Sequence, residues 1–277
     1  MTPKTLYVSD LDGTLLRPDE RISPFSCDTI NRLAEDGMLF SYATARSFHT
    51  AKKCAAGLTA KIPLIVYNGA FILDNATGAV LQKNTFSAVD AAGIYALLRA
   101  HGIFPIVYAL IDGVEKFSYE EPRIPACTRD FVLSRKGDFR DRPLQNDDGI
   151  LNGEVYYFTC IDDETILSPA YEQLREDFAG RCNLVYQKDI YSGEQWLEIM
   201  PAAATKAAAI RQLKAITGAE KVVAFGDGVN DIPMFMDADE AYAVANADPR
   251  LKETATGIIG ANTEDGVAKW LLSHAAK

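Results

Sequence analysis

The chain alternates short apolar runs with segments of helical period. Leu6 to Val8 read as a brief buried strand, ending at Ser9-Asp10-Leu11-Asp12-Gly13-Thr14. Ser23-Pro24 has the chemistry of a helix start, with Ser as N-cap and Pro at the first helical position. Cys27, Ile30, Leu33 and Ala34 then share one face, and Gly37 stops the helix. Apolar runs follow at Met38 to Ala43, ending at Thr44-Ala45-Arg46-Ser47, and at Pro63 to Tyr67, ending at Asn68-Gly69, with helical character between them from His49 to Ala56. Strand, helix, strand, helix, strand predicts a parallel sheet with right-handed crossovers. Ligands in such sheets bind at the carboxyl ends of the strands, so Asp10, Thr44 and Asn68 are expected on one rim.

The pattern then changes. Phe71 to Leu73 and Val80-Leu81 flank a turn-rich Asn75-Ala76-Thr77-Gly78 and predict a hairpin. From about Asn84 a new series starts: a capped helix through Ile94, Leu97 and Leu98, a strand from Ile103 to Tyr108 and a tight hairpin at Asp112-Gly113. Beyond these lie a strand from Glu154 to Cys160, a helix from Glu164 to Phe178 and a strand from Cys182 to Gln187, whereas Arg123 to Asp148 shows charge without periodicity. A stretch this long with its own elements predicts an inserted second domain rather than a loop. Trp196 to Ile199 is expected to return to the first domain. That gives a discontinuous core of residues 1–83 and 191–277 around an insertion of 84–190. The core resumes with a helix from Thr205 to Ile216 that carries Lys206 in its first turn. A strand from Val222 to Phe225 ends at Gly226-Asp227-Gly228-Val229-Asn230-Asp231, and a closing helix is expected from Glu264 to Ser273.

Composition narrows the partners. The chain has 277 residues and a net charge of −10, which argues against a nucleic-acid-binding surface or an anionic membrane as partner. Its five cysteines are scattered without C-x-x-C spacing and suggest reduced thiols rather than a disulfide framework or a zinc site. Met1 to Lys4 lead straight into the first strand and no apolar run approaches membrane-spanning length, so a cytoplasmic protein is expected, monomeric or a small homo-oligomer.

Against that background the polar clusters acquire meaning. Asp10 and Asp12 alone could be a strand followed by an Asx turn. Together with Thr44, Lys206 and Asp227/Asn230/Asp231 they form a set of acids, a hydroxyl and a cation suited to phosphoryl transfer. A carboxylate can accept a phosphoryl group and split one displacement into two, and that role falls to Asp10. Phosphate and carboxylate repel, so a hard divalent cation such as Mg²⁺ is expected on Asp10 and Asp227. The leaving alkoxide needs a proton and the water that attacks later must lose one, which suits Asp12. Lys206 and Thr44 are placed to bind phosphoryl oxygens, and Asn230 and Asp231 to hold the phosphoryl group, a metal-bound water or Lys206.

The set Asp10-Leu11-Asp12-Gly13-Thr14, Thr44-Ala45-Arg46, Lys206 and Gly226-Asp227-Gly228-Val229-Asn230-Asp231 resembles the four motifs of the haloacid dehalogenase superfamily, in family order. The insertion resembles the large α/β cap of its Cof-like sugar-phosphate phosphatases. Asn246-Ala247 and Asn262-Thr263-Glu264-Asp265-Gly266-Val267 match the C-terminal pattern of that subfamily. The resemblance implies a Rossmann-like doubly wound parallel-sheet core with an inserted α/β cap domain. It implies Asp10 as nucleophile, Asp12 as acid/base, and Mg²⁺ held by the Asp10 carboxylate, the Asp12 backbone carbonyl and Asp227. The implied substrate is a small phosphorylated metabolite, a sugar phosphate. Two departures stand out: Ala45 where the family usually has Gly, and Ala202-Ala203-Ala204-Thr205 before Lys206 where a glycine is common.

Two rival functions use the same residues, a phosphomutase and a module in which a phosphorylated aspartate is read by a partner. His49, His101 and His274 are isolated and read as surface or packing residues, and Trp196 reads as core. Arg46 follows Thr44 closely enough to face the site, although an exposed helix-start arginine fits the pattern equally. Tyr119, Glu120, Glu121 and Arg123 read either as specificity residues or as a solvated face.

Overall fold

The first apolar run is the strand Thr5–Ser9, with Leu6 and Val8 fully buried, and it pairs on both sides. A computed structural model describes residues 3–59, 61–189 and 193–275 and divides the chain into two units, 1–83 with 204–277 and 84–203.

In the first unit five parallel strands lie in the order Gly257–Ile259, Glu240–Val244, Lys221–Gly226, Thr5–Ser9 and Leu39–Tyr42. Hydroxyls cap the helix starts, at Ser23 as expected and at Thr205 one residue ahead of the helix proper. Ser23 accepts from the Ser26 N–H at the head of Pro24–Glu35, and Thr205 accepts from the Ala208 N–H at the head of Lys206–Thr217. Leu6, Val8, Phe40, Ile30, Leu33, Ile210, Leu213, Val223 and Leu271 close a single core around the sheet. The third expected strand behaves differently. Leu64–Val66 touches the sheet through one parallel bridge, Ala43 to Ile65, and otherwise pairs antiparallel with Phe71–Leu73, which pairs in turn with Val80–Lys83.

The second unit is a six-stranded sheet in the order Cys182–Lys188, Gln195–Pro201, Glu154–Asp162, Ile106–Ile111, Val114–Glu120 and Asp141–Leu144. All pairs are antiparallel except the last. Helices Ala88–Ala100 and Glu164–Asp177 pack Ile94, Leu98, Leu167 and Leu174 against Val107, Phe158 and Leu197. Asp112 and Gly113 turn the hairpin with both φ values positive, at 51° and 77°. The unassigned stretch contains helix Ala126–Leu133 and strand Asp141–Leu144.

The end of the insertion corrects the sequence reading. The expected boundary at 190/191 lies outside the described residues. The strand after it, expected to rejoin the core, stays in the second unit: Gln195–Pro201 pairs along its length with Cys182–Lys188 and on its other side with Glu154–Asp162. Leu197 and Ile199 are buried in that unit's core, which holds the strand there. Trp196 is half-buried in the same unit against Phe131, with ring centroids 5.2 Å apart. Glu120 is no solvated face either: it is buried and accepts from the Tyr95 hydroxyl and from Arg99. The five cysteines are free thiols, and among the described residues no helix is long and apolar enough to cross a membrane.

Candidate active site

The site is built at the carboxyl ends of the parallel strands of the first unit. Asp10 extends strand Thr5–Ser9 by one ladder bond, its N–H donating to the Phe225 carbonyl at 2.9 Å. The chain then turns at Gly13, whose φ is +75° and where a Cβ would stand 2.1 Å from Asp227 Oδ2. Glycine is required there twice, by conformation and by space. Thr14 Oγ1 donates to Asp227 Oδ1 at 2.9 Å, tying the turn to the end of strand Lys221–Gly226.

Lys206 opens its helix and is buried with Nζ between two acids, 2.5 Å from Asp10 Oδ1 and 2.7 Å from Asp231 Oδ1. The other Asp231 oxygen accepts from the backbone N–H groups of Asp227 and Gly228, each at 3.1 Å. Asp231 therefore braces Lys206 and the loop with both oxygens. Carboxylate oxygens of Asp10, Asp227 and Asp231 all lie within 4.8 Å of one another.

Burial and crowding of negative charge act together on these acids. Burial, with Asp231, Asp227 and Asp12 nearby, raises the Asp10 carboxyl well above the usual range, even though Lys206 opposes the shift. Burial and Asp231 push Asp227 up to about 7 against the pull of Thr14 and Lys206. Burial alone would lower the Lys206 ammonium, yet Asp10 and Asp231 raise it above its ordinary value, so it stays charged. Three converging carboxyls thus face one ammonium. A hard divalent cation on Asp10 and Asp227 fits this donor set, because it supplies the missing positive charge with oxygen ligands.

Asp12 is placed otherwise. Its carboxylate is gripped by Arg46, with Nε 3.1 and 2.8 Å from the two oxygens and Nη2 2.6 Å from Oδ1. The guanidinium also reaches Glu20 at 3.0 Å and Cys54 Sγ at 3.1 Å. Burial works against the charge on Arg46, but the Asp12 contacts override it and raise its pKa. Thr44 is fully buried, and its hydroxyl accepts from the Arg46 N–H at 3.1 Å. Ala45 lies outside the positive-φ region, so its backbone needs no glycine. Asn230 is half-buried, with its side-chain oxygen 2.5 Å from where a Gly228 Cβ would be. Asn68 and Gly69 have φ of 52° and 99°, and a Cβ on Gly69 would meet the Thr205 carbonyl at 2.4 Å. That loop presses on the N-cap of the Lys206 helix.

A second tier holds the turn from behind. Asn246 Nδ2 donates to the Gly13 carbonyl at 2.7 Å, and Asn262 Nδ2 to the Leu16 carbonyl at 2.8 Å. Asp265 collects Ser23, Ser26 and Arg17. The C-terminal motif signalled these residues without giving them a task, and nothing in the sequence pointed to Glu20.

The sequence model of the haloacid dehalogenase-like hydrolases matches residues 7–271. The chain belongs to that family. Similar curated members include a 5-amino-6-(5-phospho-D-ribitylamino)uracil phosphatase of Bacillus subtilis, 29% identical with 95% of each chain covered. Another is the pyridoxal phosphate phosphatase of Escherichia coli, 26% identical with 99% of each covered. A crystal structure of a haloacid dehalogenase-like hydrolase from Bacteroides thetaiotaomicron has the same fold, with a TM-score of 0.79 at 24% identity, covering 96% of this chain and 98% of that one. The likeness to that structure runs through both the core and the inserted segment of this chain.

Proposed function

We propose that this haloacid dehalogenase-like hydrolase is a Mg²⁺-dependent phosphatase of a small phosphorylated metabolite, with a sugar phosphate as its substrate class. The observation that carries the reading is Lys206, buried between Asp10 and Asp231 and beside Asp227, from segments far apart in the chain. The naming of similar members as phosphatases of phosphorylated small molecules supports it.

Asp10 attacks phosphorus through a carboxylate oxygen while the P–O bond to the leaving group breaks, giving an aspartyl-phosphate. Asp12 donates a proton to the leaving alkoxide, then takes one from the water that cleaves the acyl-phosphate. Lys206, Thr44 and Asn230 bind phosphoryl oxygens, and Asp231 keeps Lys206 in place. Asp10, the Asp12 backbone carbonyl and Asp227 would hold Mg²⁺, which when bound neutralises charge between phosphate and carboxylates. Sequence spacing and the resemblance support these roles, and the buried cluster of Asp10, Asp227 and Asp231 around Lys206 supports the part assigned to those four residues.

The test is phosphate release across a panel of phosphate monoesters, with and without Mg²⁺, on wild type and Asp10→Asn. Mg²⁺-dependent release by wild type alone is expected. No release from any monoester, or full turnover by Asp10→Asn, refutes the reading.

A further inference from the structure

Arg46 makes more contact with Asp12 than a surface ion pair requires. Its three N–H···O contacts span both carboxylate oxygens, which fixes the plane of the carboxylate as well as its position. Arg46 is itself held, at its guanidinium and at its backbone. Nη1 meets Glu20 and Cys54, the backbone N–H meets the Thr44 hydroxyl, and the Arg46 carbonyl accepts from the Tyr67 N–H at 3.0 Å. Its side chain is only 14% exposed. Two of these contacts fix the backbone and two the guanidinium, so the fork that meets Asp12 is held from both ends.

We propose that Arg46 is a positioning residue for the second half of the reaction, holding Asp12 as the carboxylate that accepts the proton of the attacking water. The proposal rests on the acid/base reading of Asp12. In the first half the bond from Asp10 oxygen to phosphorus forms, the bond to the alkoxide breaks, and the Asp12 proton goes to that alkoxide. This leaves an Asp12 carboxylate, the species a bidentate guanidinium accommodates best. In the second half the water oxygen bonds to phosphorus, the bond from phosphorus to Asp10 breaks, and the water proton returns to Asp12. Arg46 orients the acceptor for that step and touches neither phosphorus nor water.

The experiment uses the full chain with Mg²⁺ and p-nitrophenyl phosphate, whose phenolate leaves without needing a proton. Pre-steady-state release of p-nitrophenol is followed in wild type, Arg46→Ala, Arg46→Lys and, as reference, Asp12→Asn. Arg46→Ala should keep kcat/KM within about threefold while kcat falls about 10- to 100-fold. It should then show a burst of one p-nitrophenol per enzyme, and the intact mass of acid-quenched protein should show accumulated phosphoenzyme. Arg46→Lys keeps the charge without the fork and should recover part of kcat. Asp12→Asn should show the same burst. If Asp12→Asn bursts but Arg46→Ala matches wild type, or loses kcat/KM and kcat in parallel without phosphoenzyme, the positioning role is overturned. If Asp12→Asn shows no burst, the acid/base role of Asp12 fails and takes the proposal with it. Should Arg46→Ala fold poorly, the Arg46→Lys burst and phosphoenzyme decide in the same way.

Discussion

Lys206 Nζ and Asp10 Oδ1 lie 2.5 Å apart in a site that solvent scarcely reaches. The pair spans the inserted unit in sequence, so the ammonium that steadies the proposed nucleophile arrives from the far side of the insertion.

Replacing Asp10 by Asn should remove at least about a thousandfold of kcat, because an amide cannot serve as the nucleophile. Stability should not suffer, since the Asp10 carboxyl is buried among other acids that resist its charge. Thermal melting of Asp10→Asn at pH 8 is expected at or above the wild-type temperature.

Lys206→Met should act in the opposite sense on stability. It strands Asp10 and Asp231 as buried carboxylates without their cation, a loss of about 3–5 kcal/mol when one partner of a buried pair is removed. Protonation of Asp10 relieves part of that cost, so urea unfolding should find the deficit smaller at pH 5 than at pH 8.

Asp227 gives a pH dependence with a defined sign. Its carboxyl is raised from 3.8 in an unfolded chain to about 7 in the folded one, so the folded state binds the extra proton. The contribution to stability is fully present below pH 3.8, declines as pH rises, and is lost through about pH 7. Melting in EDTA should show this decline against background. Mg²⁺ needs the ionised carboxylate, so its stabilising effect should grow across the same window, and a flat Mg²⁺ response from pH 5 to 8 would contradict Asp227 as a ligand.

Gly13→Ala should disable the site by displacement rather than by loss of a group. The added Cβ falls 2.1 Å from Asp227 Oδ2 at a φ of +75°. Activity should fall by about a hundredfold or more, with a stability loss of about 1–3 kcal/mol. Asn246→Ala is the milder companion: it leaves the Gly13 carbonyl without its donor and should cost about 1 kcal/mol. Parallel phosphatase assays and melts would separate the two.

Much of this architecture was legible because local chemistry and tertiary structure agree. Ser23 and Ser87 look like helix caps and are helix caps, whereas Thr205, read as the first helical residue, is the N-cap of its helix. Asp10 and Asp227 end strands, as their apolar approaches imply. Pairing partners were less legible, because alternation tells which face a residue takes and not which strand it lies beside. Leu64–Val66 and Gln195–Pro201 both read as strands, yet one pairs mainly antiparallel and the other stays with the insertion. Arg46 stayed ambiguous for a related reason: its partner lies 34 residues earlier, and no local pattern reports a long-range ion pair.

The interior strand Thr5–Ser9 is paired on one side with Leu39–Tyr42 and on the other with Lys221–Gly226. During synthesis the first partner is available early, whereas the second emerges only after the whole insertion has been made. Until then one edge of the strand destined for the sheet interior has no partner, and Leu6 and Val8 lack half of their eventual cover. A second unit with its own core is able to fold during that wait, and closing a long loop costs only slightly more than closing a short one. The order of synthesis therefore lets the insertion complete its core before the parallel sheet of the first unit has all its strands.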